Sequence, residues 1–144
     1  MTDTIIRELV LPATPEAVWA KSFGSPAALS TWFPERIEGE FVLGEPFVLV
    51  WGEHRSQCRL TEFTPARALS YQWHPGDAFT LDDHPAEELT TVRFMLEPTE
   101  GGTKVTMTES GFERIAESRR AWAFGQNNGG WDEELAKLPL AYSA

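Results

Sequence analysis

The sequence predicts an α+β fold in which a curved antiparallel sheet of about seven strands packs against one long C-terminal helix. Two patterns lead to this prediction. Between residues 36 and 111, short segments rich in β-branched and aromatic residues are separated by turns that contain Gly or Pro, which is typical of antiparallel strands with short connections. After residue 115, apolar residues recur at helical spacing, and no proline interrupts them before Pro139.

The chain is expected to begin with a strand over residues 5–11, followed directly by a short helix. Thr14 offers a side-chain oxygen that can cap the helix N-terminus. Pro15 suits the first helical position, where its missing N–H removes no hydrogen bond. This first helix should end near Ser22.

A second short helix is predicted from the same signal, because a Ser-Pro pair recurs at residues 25–26. Leu29, Trp32 and Phe33 follow at the spacing of one helix face. Pro34 should end this helix, since proline cannot continue the hydrogen-bond pattern.

Six further strands are predicted, at residues 36–43, 47–51, 57–63, 68–74, 89–97 and 103–110. The expected turns lie at residues 44–46, 65–67 and 100–102. Residues 75–88 hold five acidic residues, two prolines and no basic residue, so they are predicted to form an exposed loop between two strands.

The long helix is predicted to run from about Ile115 to just before Pro139, a length of about 35 Å. One face of this helix carries apolar residues with a single Asn among them: Phe124, Asn128, Trp131, Leu135 and Leu138. A polar group on that face needs a hydrogen-bond partner, either a neighbouring backbone or water, or it points into a cavity and orients a ligand.

Three glycines interrupt the same helix, at Gly125, Gly129 and Gly130. Each interior Gly destabilises a helix by about 0.8–1.0 kcal/mol relative to Ala, so their presence needs a reason. Close approach of the helix to the sheet or to the short helices is one interpretation, and a bend is another. The third interpretation is that they leave room for a ligand.

Composition limits the function classes. The 144 residues include 12 basic and 22 acidic side chains, a net charge of −10, which makes nucleic acid and anionic membranes unfavourable partners. The single cysteine, Cys58, can form neither an internal disulfide nor a thiolate-rich zinc site, and we expect it to be a small buried hydrophobe. With no signal peptide and no long apolar run, we expect one cytoplasmic domain over residues 1–144.

No sequence motif identifies a catalytic, cofactor or metal site. Nucleophile-elbow, phosphate-loop and dinucleotide motifs are absent, so no cofactor is expected. His54, His74 and the Asp-Asp-His run at residues 82–84 could supply metal ligands, but they lack a ligand spacing, and a solvated acidic loop is the expected structure. We therefore expect no metal.

Glu109 is the candidate acid or base, because strand periodicity puts it on one face with Val105 and Met107. If that face points inward, burial would raise the pKa of the Glu109 carboxyl and suit it to proton transfer. The alternative places Glu109 at the sheet edge, in water or paired with an arginine.

Four segments resemble a known family in their order and spacing: PEAVWA at residues 15–20, LSTWFP at 29–34, TMTESGF at 106–112 and GWDEELAKL at 130–138. The sequence resembles the START-like superfamily (SRPBCC, Bet v 1-like), and within it the bacterial single-domain branch related to the C-terminal domain of the activator of Hsp90 ATPase. The resemblance implies a helix-grip architecture, with a cavity between the sheet and the long helix that holds hydrophobic or aromatic small molecules in relatives. It implies no catalytic set, because the family shares none.

The favoured function is therefore the binding of a hydrophobic or aromatic small molecule. Aromatic rings would supply contact area, and one or two polar side chains would orient the ligand. The candidate lining residues are Trp32, Phe33, Trp51, Tyr71, Trp73, Met107, Glu109, Phe124, Asn128 and Trp131.

Two other functions stay open. In a cavity enzyme of the cyclase, dehydratase or hydrolase type, Glu109 would be the acid or base and Asn128 an orienting donor linked to it by a hydrogen-bond path. In a chaperone-associated or stress-response interaction protein, an exposed apolar patch is expected. An Hsp90-type partner stays open but is not supported, because the chain has no room for the additional domain of the eukaryotic co-chaperone, and a homodimer is left undecided.

Overall fold

Seven antiparallel strands form one sheet, and two short helices and one long helix complete the computed structural model, which describes residues 4–74 and 89–142. The elements are β1 (Ile5–Leu11), α1 (Pro15–Ser22), α2 (Pro26–Leu29), β2 (Arg36–Glu38), β3 (Pro46–Trp51), β4 (His54–Thr64), β5 (Ala68–Trp73), β6 (Thr90–Thr99), β7 (Gly102–Ser110) and α3 (Glu117–Leu135). The sheet order β1-β7-β6-β5-β4-β3-β2 confirms the predicted fold class, and the helix-grip architecture that the resemblance implied.

Both short helices begin as predicted. The Thr14 Oγ1 accepts a hydrogen bond from the Ala17 amide at 3.2 Å, and the Ser25 Oγ accepts one from the Ala28 amide at 3.1 Å. These side chains satisfy amide groups that have no partner within the first helical turn. The second helix is shorter than predicted, since it ends at Leu29 with Ser30 as its C-cap.

Several predicted boundaries are wrong. The second strand ends at Glu38, five residues earlier than expected, because Gly39 adopts a φ of +103° that turns the chain out of the sheet. The fourth strand begins at His54, three residues before its predicted start at residue 57.

The long helix is also shorter than expected. It has 19 residues, a length of about 28 Å rather than about 35 Å. Ile115 lies outside it in extended geometry with its side chain fully buried, and the chain beyond Leu135 continues into a short 3₁₀ helix over Leu138–Tyr142.

The glycines of α3 do not mark close packing. The helix continues through Gly125, Gly129 and Gly130 without a break, and a Cβ atom added to any of them would meet no atom within 4 Å in the described part of the chain. The interpretation that these glycines permit close approach is therefore wrong for the residues that the structure describes.

An arginine on the first strand ties α3 to the edge of the sheet. The Arg7 Nε donates to Asp132 Oδ1 at 2.8 Å, and its Nη2 donates to Asn128 Oδ1 at 2.8 Å and to the Asn128 carbonyl at 3.2 Å. These bonds hold the middle of the helix over β1, and they turn the Asn128 amide toward this edge.

Candidate functional site

A cleft of about 420 Å³ lies between α3 and the ends of the central strands. Exposed side chains at its border, among them Glu133 and Lys137, show that the cleft opens to the protein surface. Its lining residues come from the segment before β2, from β3 and β4, from β5 and the residue after it, and from α3 and the turn that follows it: Phe33, Trp51, His54, Ser56, Trp73, His74, Gln126, Asn127, Gly130, Trp131, Glu133, Glu134 and Lys137.

Four aromatic side chains form one continuous wall of this cleft. The Phe33 ring is central, with centroid distances of 5.1 Å to Trp131 and 5.3 Å to Trp51. The Trp73 and Trp131 rings lie 6.0 Å apart, and Trp51 and Trp73 lie 6.4 Å apart. All these distances are typical of favourable aromatic pairs, so the wall is a rigid apolar surface with its own packing energy.

Glu109 lies directly behind this wall and is fully buried. The Trp131 Nε1 donates to Glu109 Oε1 at 2.8 Å, and the Trp73 Nε1 donates to Oε2 at 2.9 Å. The Thr90 Oγ1 donates to Oε2 at 2.6 Å, and the Asn127 Nδ2 lies 3.0 and 2.8 Å from the two oxygens. Donors from β5, β6 and α3 therefore converge on one carboxyl group.

The electrostatics of Glu109 are dominated by burial. Burial raises the pKa of the Glu109 carboxyl, while the hydrogen bonds from Thr90, Trp131, Trp73 and Asn127 act in the opposite direction. Within residues 4–74 and 89–142, no lysine or arginine forms an ion pair with this carboxyl. Neither alternative placement of Glu109, at a wet sheet edge or beside an arginine, is observed.

The indole N–H groups of the wall are all occupied. Trp73 and Trp131 donate to Glu109, and the Trp51 Nε1 donates to Glu134 Oε1 at 2.7 Å. Glu134 in turn pairs with Lys137. The tryptophans consequently expose ring faces rather than N–H groups to the cleft, and other polar groups that line it include the amides of Gln126 and Asn127.

The histidines of the cleft do not form a metal site in the described part of the chain. The His54 ring contacts Trp51 at a centroid distance of 5.9 Å, and the Arg119 Nη1 lies 3.3 Å from His74 Nε2. Among the residues described, no three His, Cys, Asp or Glu side chains are grouped as metal ligands would be. The Asp-Asp-His run at residues 82–84, considered above as a ligand source, lies outside the described residues.

Of the ten residues predicted to line a ligand cavity, four line this cleft: Phe33, Trp51, Trp73 and Trp131. Glu109 lies in the layer behind them. The other five do not line it: Trp32, Tyr71, Met107, Phe124 and Asn128.

The five residues away from the cleft have other contacts. Trp32 is buried, and its Nε1 donates to the Ser22 carbonyl at 2.9 Å. Phe124 packs on Phe112 with ring centroids 5.1 Å apart, and Met107 is fully buried in the core. The Tyr71 hydroxyl is buried and has no hydrogen-bond partner among the described residues. Asn128 binds Arg7, as described above.

The expected hydrogen-bond path between Glu109 and Asn128 is not observed, because the neighbouring Asn127 makes the contact. Successive helical residues differ by about 100° in direction, so one position separates the cleft side of α3 from its β1 side. Asn127 lies one helical turn before Trp131, and this i, i+4 spacing was the available sequence signal. Thr90, Gln126 and Glu134 were also missed, and no motif marks them.

Cys58 is fully buried, and burial raises the pKa of its thiol well above the ordinary value. A thiol in this environment stays protonated and unreactive. None of the described helices is long and apolar enough to cross a membrane.

Solved structures with the same fold cover nearly the whole chain. A protein of Mesorhizobium loti, MLL2253, has a TM-score of 0.75 and 24% identity over 95% of this chain and 94% of its own. The Aha1 dimer of Colwellia psychrerythraea has a TM-score of 0.75 and 21% identity over 99% and 96%. The Bacillus halodurans protein BH1534 has a TM-score of 0.71 and 24% identity over 99% and 98%. These likenesses establish the fold.

The family is established by the sequence. A comparison with curated proteins finds no match. The family model described as Activator of Hsp90 ATPase homolog 1-like protein matches residues 12–141, which is most of the chain. The match confirms the resemblance noted from the four sequence segments, and this chain belongs to the Activator of Hsp90 ATPase homolog 1-like family.

Proposed function

We propose that this protein binds a small molecule with an apolar or aromatic body in the cleft between α3 and the sheet. The observation that carries this proposal is the continuous wall of Phe33, Trp51, Trp73 and Trp131 along a cleft of about 420 Å³. That volume lies within the usual range for small-molecule sites. The fold of this family generally serves as a ligand-binding scaffold, which supports the same conclusion.

The wall would contribute contact area, and polar groups at its border would orient the ligand. Each aromatic side chain offers a large apolar surface at a small loss of conformational entropy, since its ring is already fixed by its neighbours. The amides of Gln126 and Asn127 and the hydroxyl of Ser56 line the same cleft and supply hydrogen-bonding groups.

Gly130 provides a test, because it lines the cleft and a Cβ at this position would meet open space. Gly130→Leu should fill part of the cleft without disturbing the sheet. Gly129→Leu is the matched control, because Gly129 is exposed, does not line the cleft and also has open space around its Cβ position. Both substitutions remove an interior helix glycine, so both should fold at least as stably as the parent chain.

The experiment is a thermal-shift screen of aromatic and alkyl compounds, followed by calorimetric titration of those that bind. Gly130→Leu should weaken their binding about tenfold or more, which corresponds to about 1.4 kcal/mol, and Gly129→Leu should leave it unchanged. Equal affinities in both variants, or a screen in which nothing binds the parent protein, would contradict the proposal.

We also propose a homodimer, in line with the Colwellia structure, which is described as a dimer. β1 is an outer strand of the sheet, and two apolar residues on it, Ile6 and Val10, are more than half exposed. Light scattering after size exclusion should give twice the monomer mass of 16.2 kDa, and Val10→Lys should return the protein to the monomer. A monomer mass for the parent protein would contradict this proposal.

A further inference from the structure

The protonation state of the Glu109 carboxyl group follows from the chemistry of its hydrogen-bond partners. Three of its four donors, the indoles of Trp73 and Trp131 and the amide N–H₂ of Asn127, can only donate through the atoms that face it. A carboxylate accepts all of these bonds at once, whereas a neutral carboxyl group could keep the three only by giving its own proton to the Thr90 hydroxyl, the one partner that can also accept. Three fixed donors around one carboxyl group favour its ionised form.

An ionised Glu109 is a buried negative charge with only neutral partners among the described residues. Neutral donors satisfy its hydrogen-bonding capacity, but they do not cancel its charge, and an uncompensated buried charge is unfavourable. Desolvation is accordingly the largest influence on this group. A positive charge in the adjoining cleft would offset part of that unfavourable energy.

The aromatic wall is suited to such a charge. The faces of aromatic rings carry negative electrostatic potential, which attracts organic cations, and indoles do so most strongly. Each of the three wall tryptophans donates its N–H to a carboxylate, Trp73 and Trp131 to Glu109 and Trp51 to Glu134. Hydrogen bonding to an anion adds electron density to the ring and strengthens this attraction.

The border of the cleft is also negatively charged. Among the described lining residues, Glu133 and Glu134 are acidic and Lys137, which pairs with Glu134, is basic. Arg119 lies beside His74 and is a second basic residue near the cleft. Within the described part of the chain, these two basic side chains compare with three carboxyl groups, those of Glu109, Glu133 and Glu134. The net charge of −10 on the whole chain adds a long-range attraction for cations.

We propose that the ligand of this cleft is an organic cation, an amine or quaternary ammonium compound with an apolar or aromatic body. This inference rests on the proposed binding function and gives its ligand a chemical class. The cationic group would lie on the tryptophan faces between the buried carboxylate of Glu109 and the border carboxylates, and the apolar body would lie along Phe33.

The test compares three benzyl compounds that differ chiefly in charge: benzyltrimethylammonium, benzyl alcohol and phenylacetate. Calorimetric titration at one pH and low ionic strength should rank them in that order, with the cation bound about tenfold more tightly than the alcohol. Gly130→Leu should weaken the binding of the cation, which assigns the signal to the cleft.

Charge variants complete the test. Glu133→Gln removes an exposed border charge that makes no described hydrogen bond, and it should weaken cation binding about threefold without affecting benzyl alcohol. Glu117→Gln is the matched control, an exposed glutamate at the far end of α3, and it should change neither. Glu109→Gln, if it folds, should weaken cation binding about tenfold.

Each outcome separates the two proposals. Binding of the alcohol or phenylacetate as tightly as the cation, with sensitivity to Gly130→Leu, would overturn the cationic ligand and leave the cleft as a binding site. Cation binding that is equally weakened by Glu117→Gln would reflect net charge alone and would also overturn it. Failure of all three compounds to bind, together with an empty thermal-shift screen, would overturn the binding function itself.

Discussion

Replacement of Glu109 tests how strongly its carboxylate holds the helix to the sheet. In Glu109→Gln, one carboxylate oxygen becomes an amide N–H₂ group. If the amide oxygen takes the place of Oε2, the Trp131 N–H loses its acceptor, and if it takes the place of Oε1, the Trp73 N–H loses its acceptor. Thr90 can adapt, because its hydroxyl can accept instead of donate.

Either orientation thus leaves one buried indole N–H facing another donor, which destabilises a protein by about 1–3 kcal/mol. Removal of the buried charge offsets part of this loss. We expect Glu109→Gln to lower the free energy of unfolding by about 1–2 kcal/mol. Glu109→Leu leaves both indoles and Asn127 without this acceptor, so the expected loss is about 3 kcal/mol or more.

The assay is urea unfolding followed by far-UV circular dichroism, which does not depend on the altered tryptophan environment. Glu113→Gln is the control, an exposed glutamate whose side chain makes no described bond, and it should stay within about 0.5 kcal/mol of the parent. A Glu109→Leu variant as stable as the parent, or more stable, would refute the view that four donors depend on this carboxylate.

The same variants have a defined pH dependence. Because burial raises the pKa of Glu109 in the folded protein, the folded state holds this proton more tightly than the unfolded chain. The contribution of Glu109 to stability is therefore fully present below the unfolded pKa, near 4.5, and is lost as pH rises through the higher folded pKa. The stability advantage of the parent over Glu109→Gln should shrink as pH rises across this window, and a growing advantage would contradict the sign.

Three further substitutions follow from the structure. Tyr71→Phe removes a buried hydroxyl that has no described hydrogen-bond partner. It should leave the free energy of unfolding unchanged or raise it by up to about 1 kcal/mol, and a lower melting temperature in thermal unfolding would contradict this. Arg7→Met removes the hydrogen bonds to Asp132 and Asn128 and should lower the free energy of unfolding in urea by about 1 kcal/mol. An unchanged free energy of unfolding would show that these bonds do not stabilise the contact between β1 and α3. Gly125→Ala should raise it by about 0.8–1.0 kcal/mol, because nothing described lies near that Cβ position, and destabilisation would show a close contact.

Much of the fold was predictable because its signals are local. A Thr-Pro or Ser-Pro pair marks a helix start through the capping oxygen and the fixed φ of proline, and both helices begin where these pairs lie. Alternation in β7 correctly placed Val105, Met107 and Glu109 on one buried face. The strand boundary at Gly39 was wrong because a single positive φ angle ends β2 there. The start of α3 was also wrong, since Ile115 is extended and fully buried ahead of the helix.

The site was only partly predictable because it depends on long-range register. Phe33, Trp51, Trp73 and Trp131 are far apart in sequence and meet only when β3, β5 and α3 come together. The identity of the Asn that contacts Glu109 depends on the rotation of α3, which the bonds from Arg7 help to fix. No local sequence pattern predicts the rotation of α3 about its own axis.

The central claim, that the cleft along the tryptophan wall binds a small molecule, is tested most directly by the six tryptophan indole N–H signals in a ¹H–¹⁵N correlation spectrum. Titration with benzyltrimethylammonium should shift the signals of Trp51, Trp73 and Trp131, because their rings line the cleft. The signal of Trp122, which is half exposed and does not line the cleft, should not move. Shifts confined to Trp122, or no shift in any indole with this compound and with the neutral benzyl alcohol, would contradict the claim.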